Sequence, residues 1–203
     1  MELRIAHILS FLLHPLLIPT YAALLILNLP LFLSSTLSLE AKTWLVILVF
    51  VFTCILPTVI ILVMYRFRLI DSPELDKSNQ RTIPLIFTSL SYMGLLYILR
   101  GSGLPDYFLY LIYGALFTLL VGLLINLAFK ISQHTLAWGA LSGLFIGLAI
   151  HQELNMTIII CVTILISGLA GYSRLKLNAH TPPQVYLGFI TGVTVTGVMM
   201  LTL

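Results

Sequence analysis

The stretch 107-YFLYLIYGALFTLLVGLLINLAF-129 runs for 23 residues without a charge. Coiled as an α-helix it extends about 34 Å, enough to cross ~30 Å of hydrocarbon. Six further runs read the same way, at residues 5–33, 43–65, 83–99, 135–151, 155–172 and 185–203. None shows the in–out alternation of barrel strands, and a helix satisfies its own backbone groups where there is no water. The expectation is an all-α, polytopic transmembrane helical bundle of 6–7 spans, a single integral membrane domain over residues 1–203. The first run is long and broken by Pro15 and Pro19, which predicts a short interfacial or re-entrant piece ahead of the true span.

Composition excludes the main alternatives. Hydrophobic residues make up 60% of the chain and charged residues 8%, with a mean hydropathy of +1.09. A soluble domain carries about 25% charged residues and could not hide so much apolar surface. A soluble enzyme, a nucleic-acid binder and a disulfide-built secreted module are thereby ruled out. The net charge of +3 says nothing of nucleic acid, because the basic residues lie in short loops. Cys54 and Cys161 sit inside apolar runs and form no CxxC, so they read as small core hydrophobes. Gly139, Gly143 and Gly147 recur every four residues in the fifth run, and Gly188 and Gly192 repeat the spacing in the last. Such faces let backbones pack closely and also offer a route to oligomerisation.

Unusual polar residues gather at 76-DKSNQRTIP-84, 130-KISQHT-135 and 173-SRLKLNAHTPPQ-184. Two spans separate each cluster from the next, so all three return to one membrane face. They bring the cations Lys77, Arg81, Lys130 and Arg174, the hydroxyls Ser132 and Ser173, and the bases His134 and His180. Cations and hydroxyls at helix ends suit an oxyanion, and the Arg fork matches phosphate. Two imidazoles suit nucleophilic attack and proton delivery near neutral pH. Taken singly, each Lys or Arg also reads as a residue snorkelling to headgroups, and each His as a satisfied polar residue. His7 and His14, seven apart, lie on one face if the first run is a continuous helix. His14 reads either as part of the pocket mouth or, the preferred reading, as an interfacial residue beside a proline kink.

Ser173-Arg174, five residues and His180 resemble the SR-x5-H element of the type 2 phosphatidic acid phosphatase superfamily, which shares its helical core with vanadium haloperoxidases. Ile131-Ser132-Gln133-His134 resembles that family's PSGH element, and the 38 residues between His134 and Ser173 suit its two intervening helices. Lys77, Arg81 and Pro84 resemble the K-x6-RP element more loosely. The resemblance covers residues 70–203 as a lipid-phosphatase-like core, with residues 1–69 forming N-terminal spans outside it. It implies metal-independent hydrolysis of a membrane lipid phosphate or diphosphate, without a cofactor. His180 is then the nucleophile and His134 the acid that protonates the leaving oxygen. Lys77, Arg81, Lys130, Ser132, Ser173 and Arg174 are the phosphate-binding residues.

The chain departs from the family pattern in places. Lys77 lies four residues before Arg81 instead of seven, and Ile131 and Gln133 replace the Pro and Gly of PSGH. Gln184 stands where the family places the Asp that orients the nucleophilic imidazole. It can hold the ring through its amide oxygen but cannot neutralise its charge; Asp76 is a substitute carboxylate. These departures motivate a second reading, a catalytically weak or inactive member that binds lipid headgroups or acts as a scaffold. No predicted span carries an Asp or Glu, which argues against a proton-coupled transporter and against a metal site within the spans. The resemblance implies the bacterial inner membrane with the site facing the periplasm. The loop charges instead put the clusters on the cytoplasmic side, since that side carries eight of the ten basic residues.

Overall fold

The computed structural model describes residues 2–29, 36–75, 78–104 and 106–202, apart from the Asp106 side chain. Among them are α1 (Glu2–Leu12), α2 (Ile18–Asn28), α3 (Leu39–Arg66), α4 (Ser78–Leu99), α5 (Asp106–Ala128), α6 (Gln133–His151), α7 (Thr157–Lys176) and α8 (Pro182–Met200). With α1 and α2 taken as one broken segment, seven helices among the described residues are long and apolar enough to cross a membrane. The chain is a multi-pass helical bundle, and an integral membrane protein.

Prolines mark the irregular points. Pro15 opens a 3-10 turn, Pro15–Leu17, capped by the His14 ring, which accepts the Leu16 N–H. The first run therefore breaks where its prolines predict, but α1 and α2 are 11 residues each, about 16 Å, and neither crosses ~30 Å alone. His7 and His14 consequently do not share a helix. The third run starts at Ser78 and carries Pro84 inside it, not at its start. In α3 a π turn, Val51–Ile55, precedes Pro57, which has no N–H to give. The Phe52 carbonyl accepts the Ser91 hydroxyl of α4 instead.

The glycine faces locate α6. A Cβ on Gly139 would collide with the Phe189 backbone of α8, and one on Gly143 with Val193. One on Gly192 would collide with the Leu136 carbonyl of α6, and one on Gly188 with Ser132 and Thr135. The two glycine faces meet each other inside the chain. At these glycines the close backbone approach is made within one chain, between α6 and α8. This close pairing also aligns the starts of α6 and α8. The Ser132 N–H donates to the Gln184 carbonyl (3.1 Å), and the Thr135 hydroxyl donates to the Val185 carbonyl (2.8 Å).

Candidate active site at the polar helix ends

Alignment of those two helix starts brings the second and third clusters side by side, and Arg81 joins the first to them. Arg81 lies in the first turn of α4, where a side chain points back toward the helix start. Its Nε donates to the Leu75 carbonyl (2.7 Å) and its Nη1 to the Ile131 carbonyl (3.1 Å). Lys130 donates to the Ala179 carbonyl (3.1 Å), which holds the loop carrying His180. Arg174, in the last turn of α7, donates from Nη1 to the Ser10 hydroxyl of α1 (2.7 Å). Arg81, His134, Arg174 and His180 line the polar end of one cavity of about 180 Å³.

His180 is held in a defined tautomer. The Gln184 side-chain oxygen accepts the Thr181 backbone N–H (3.2 Å) and lies 2.9 Å from His180 Nδ1. A backbone N–H can only donate, so this atom is the amide oxygen, and Nδ1 must carry the ring proton. Nε2 is left with the lone pair. Burial, with the ring only 8% exposed, pushes the His180 pKa down to about 4; the Gln184 bond opposes this, and Arg81, Lys130 and Arg174 reinforce it. At neutral pH His180 is an uncharged imidazole.

His134 opens α6 beside it. Its Nε2 lies 3.1 Å from the Ser10 carbonyl and 3.3 Å from the Ser10 hydroxyl. A carbonyl can only accept, so Nε2 carries the proton. The His14 ring stands edge-on to His134, with centroids 5.5 Å apart, and lines the same cavity. The preferred sequence reading of His14 as a merely interfacial residue is corrected: its own bond to Leu16 turns the chain so that the ring enters the site.

Other expected residues are elsewhere. Ser132 and Ser173 are fully buried and absent from the cavity lining. The Ser132 hydroxyl caps α6 by accepting the Thr135 N–H, and the Ser173 hydroxyl donates to the Ala170 carbonyl. Each hydroxyl thus has a partner in its own helix backbone, and neither residue lines the cavity. Lys77, like Asp76, lies outside the described residues. Sequence reasoning missed Ser10, Gln133 and Glu74 as members of this site. The Gln133 Nε2 is buried with no hydrogen-bond partner among the described residues, on a side chain that lines the cavity. Glu74, exposed at the mouth, has its carboxyl held below the usual range by the Ser72 hydroxyl. Ser10 carried no signal in the sequence, since its partners are 124 and 164 residues away.

Comparison with protein-family models, curated proteins and solved structures returns no match to this chain. The arrangement is read on its chemistry alone: a neutral imidazole with a free lone pair, a second imidazole and two guanidinium groups. Such a set contains the kinds of group that binding and attack at a phosphoryl centre require.

Proposed function

We propose that this chain hydrolyses the phosphate or diphosphate head of a membrane amphiphile through a phosphohistidine on His180. The observation that supports it best is the Gln184 bond to Nδ1, which leaves Nε2 uncharged and available beside Arg81 and Arg174. The His180 Nε2 lone pair attacks phosphorus, an N–P bond forms, and the bond to the leaving oxygen breaks. That oxygen takes a proton from the imidazolium form of His134, which is left as the neutral ring. Water then attacks phosphorus and gives a proton to His134, the N–P bond breaks, and His180 returns with inorganic phosphate released. Arg81 and Arg174, with the Gln133 amide, compensate charge on the equatorial oxygens, which is the main demand of phosphoryl transfer. The resemblance of Ser173, Arg174 and His180 to the type 2 phosphatidic acid phosphatases supports the same reading, and with it a lipid phosphatase of the bacterial inner membrane.

The test is phosphate release by the purified protein in detergent, with EDTA present, from a panel of lipid phosphates beside His180→Ala. Release that survives EDTA and vanishes in the variant is the expected result. Two observations favour a second, binding-only reading: the His134 proton is directed at the Ser10 carbonyl, and Gln184 is neutral where a carboxylate would support the imidazolium. Equal silence of wild type and variant, with lipid phosphate still bound, selects that reading.

A further inference from the structure

The cavity does not end at the polar groups. Along α6 its lining runs from His134 through Ala137 and Ala140 to Leu144, ten residues or about 15 Å. Along α4 it runs from Arg81 to Tyr92, about 16 Å. Both helices begin at the polar end, so the cavity descends toward the membrane interior. Its far end is closed by Tyr92, Leu111 and Leu144, each under 5% exposed. The wall hydroxyls are already bonded, Thr88 to the Pro84 carbonyl and Thr118 to Thr196 (2.9 Å). What the wall presents is apolar, and its small residues keep it open. One of them, Ala22, comes from α2, outside the stretch that resembles a phosphatase.

We infer that this apolar arm binds a single hydrocarbon chain of the amphiphile whose anionic head sits on Arg81 and Arg174, and that its floor sets a chain-length limit. The inference rests on the headgroup reading above but not on hydrolysis. Guanidinium groups at the mouth and an apolar channel behind them complement a molecule with an anionic head and an apolar tail. The volume admits one chain: a cavity of about 150 Å³ accommodates a single benzene ring, and this one is about 180 Å³. Below the polar groups the arm runs from Ala137 to Leu144, about 10 Å, and at roughly 1.2 Å per bond that corresponds to about eight carbons.

The experiment uses the full chain in detergent and a series of n-alkyl phosphonates, which carry the head but cannot be hydrolysed, from about four to about eighteen carbons. Wild-type affinity is expected to rise about fourfold per methylene, the transfer increment, and to level off at about eight carbons. Ala140→Leu fills the arm halfway down. It should leave the shortest ligands unaffected and bring the levelling forward to shorter chains, while Leu144→Ala should move it to longer ones. Ala22→Leu, from the opposite wall, repeats the shortening if Ala140→Leu fails to fold. Affinity that climbs without a break to the longest chain, or a variant that weakens all lengths equally, overturns the inference, as does absence of binding at every length. A clear break with no phosphate released from any alkyl phosphate keeps the chain site and removes the phosphatase. Turnover that is indifferent to chain length does the reverse.

Discussion

Replacing Gln184 by glutamate puts a carboxylate where the amide oxygen now meets His180 Nδ1 at 2.9 Å. The fold should accept it, since Gln184 already forms a capping box with Thr181 at the start of α8. Glutamate serves that motif equally well and favours the helix N-terminus. With charge centres about 4 Å apart, the pair is worth about 4 kcal/mol at an effective dielectric near 20, and about 1 kcal/mol in bulk water. At 1.36 kcal/mol per unit, the His180 pKa rises from about 4 by roughly one to three units. Because the shift favours the protonated ring, the variant loses free nucleophile near pH 5, where the wild type retains it. At pH 8 both rings are neutral, and the variant is faster, because a carboxylate stabilises the cationic phosphohistidine; in another His–Asp pair, loss of such a partner costs ~10⁴ in rate. The two pH profiles of kcat/KM should therefore cross. Titration of selectively ¹⁵N-histidine-labelled protein by NMR checks the pKa directly. An acid limb that stays near 4 in folded Gln184→Glu would refute the Nδ1–Gln184 contact and the nucleophile assignment built on it.

Three other outcomes are expected. His180 is neutral and buried when folded, with a pKa near 4 against about 6.5 in the unfolded chain. The unfolded state takes up the extra proton, so stability falls as the pH drops from about 6.5 toward 4. His180→Ala should flatten that part of a thermal-midpoint profile. Arg174→Ala should weaken phosphonate binding about 10- to 150-fold, the range for a lost charged hydrogen bond of 1.5–3 kcal/mol, and Arg174→Lys should restore only part of it. Gly192→Ala drives a Cβ into the Leu136 carbonyl and should destabilise the fold by at least about 1–3 kcal/mol, read as an earlier midpoint in SDS unfolding. Gly168→Ala, where nothing lies within 4 Å of the added atom, should leave that midpoint unchanged or raise it.

The spans were legible because a helix in lipid needs an unbroken apolar run, and residues 107–129 have one. Their ends were less so: Ser78 and Gln80 are polar, yet they continue α4 upstream of Pro84. Convergence of the clusters was legible from counting crossings, and Arg81, Arg174, His134 and His180 do line one cavity. Ser132 and Ser173 were less legible, because a hydroxyl near a helix end has backbone partners within three residues. Residue type alone does not separate a capping hydroxyl from one that faces a ligand.

The amino-acid order alone determined the solvent, the number of spans and the side on which the polar residues gather, because hydropathy and chain length act locally and add along the chain. Tertiary structure decided what those residues do. Glycine faces too tight for a Cβ pair α6 with α8 and thereby bring Gln184 beside Ser132. A break at Pro15 swings His14 and Ser10 against His134 and Arg174, more than a hundred residues away in the chain. The apolar arm beneath the site exists only where α2, α4, α5 and α6 leave a gap between small residues. Contacts of that kind depend on side-chain volume and helix placement at once, and neither is carried by the pattern of any one segment.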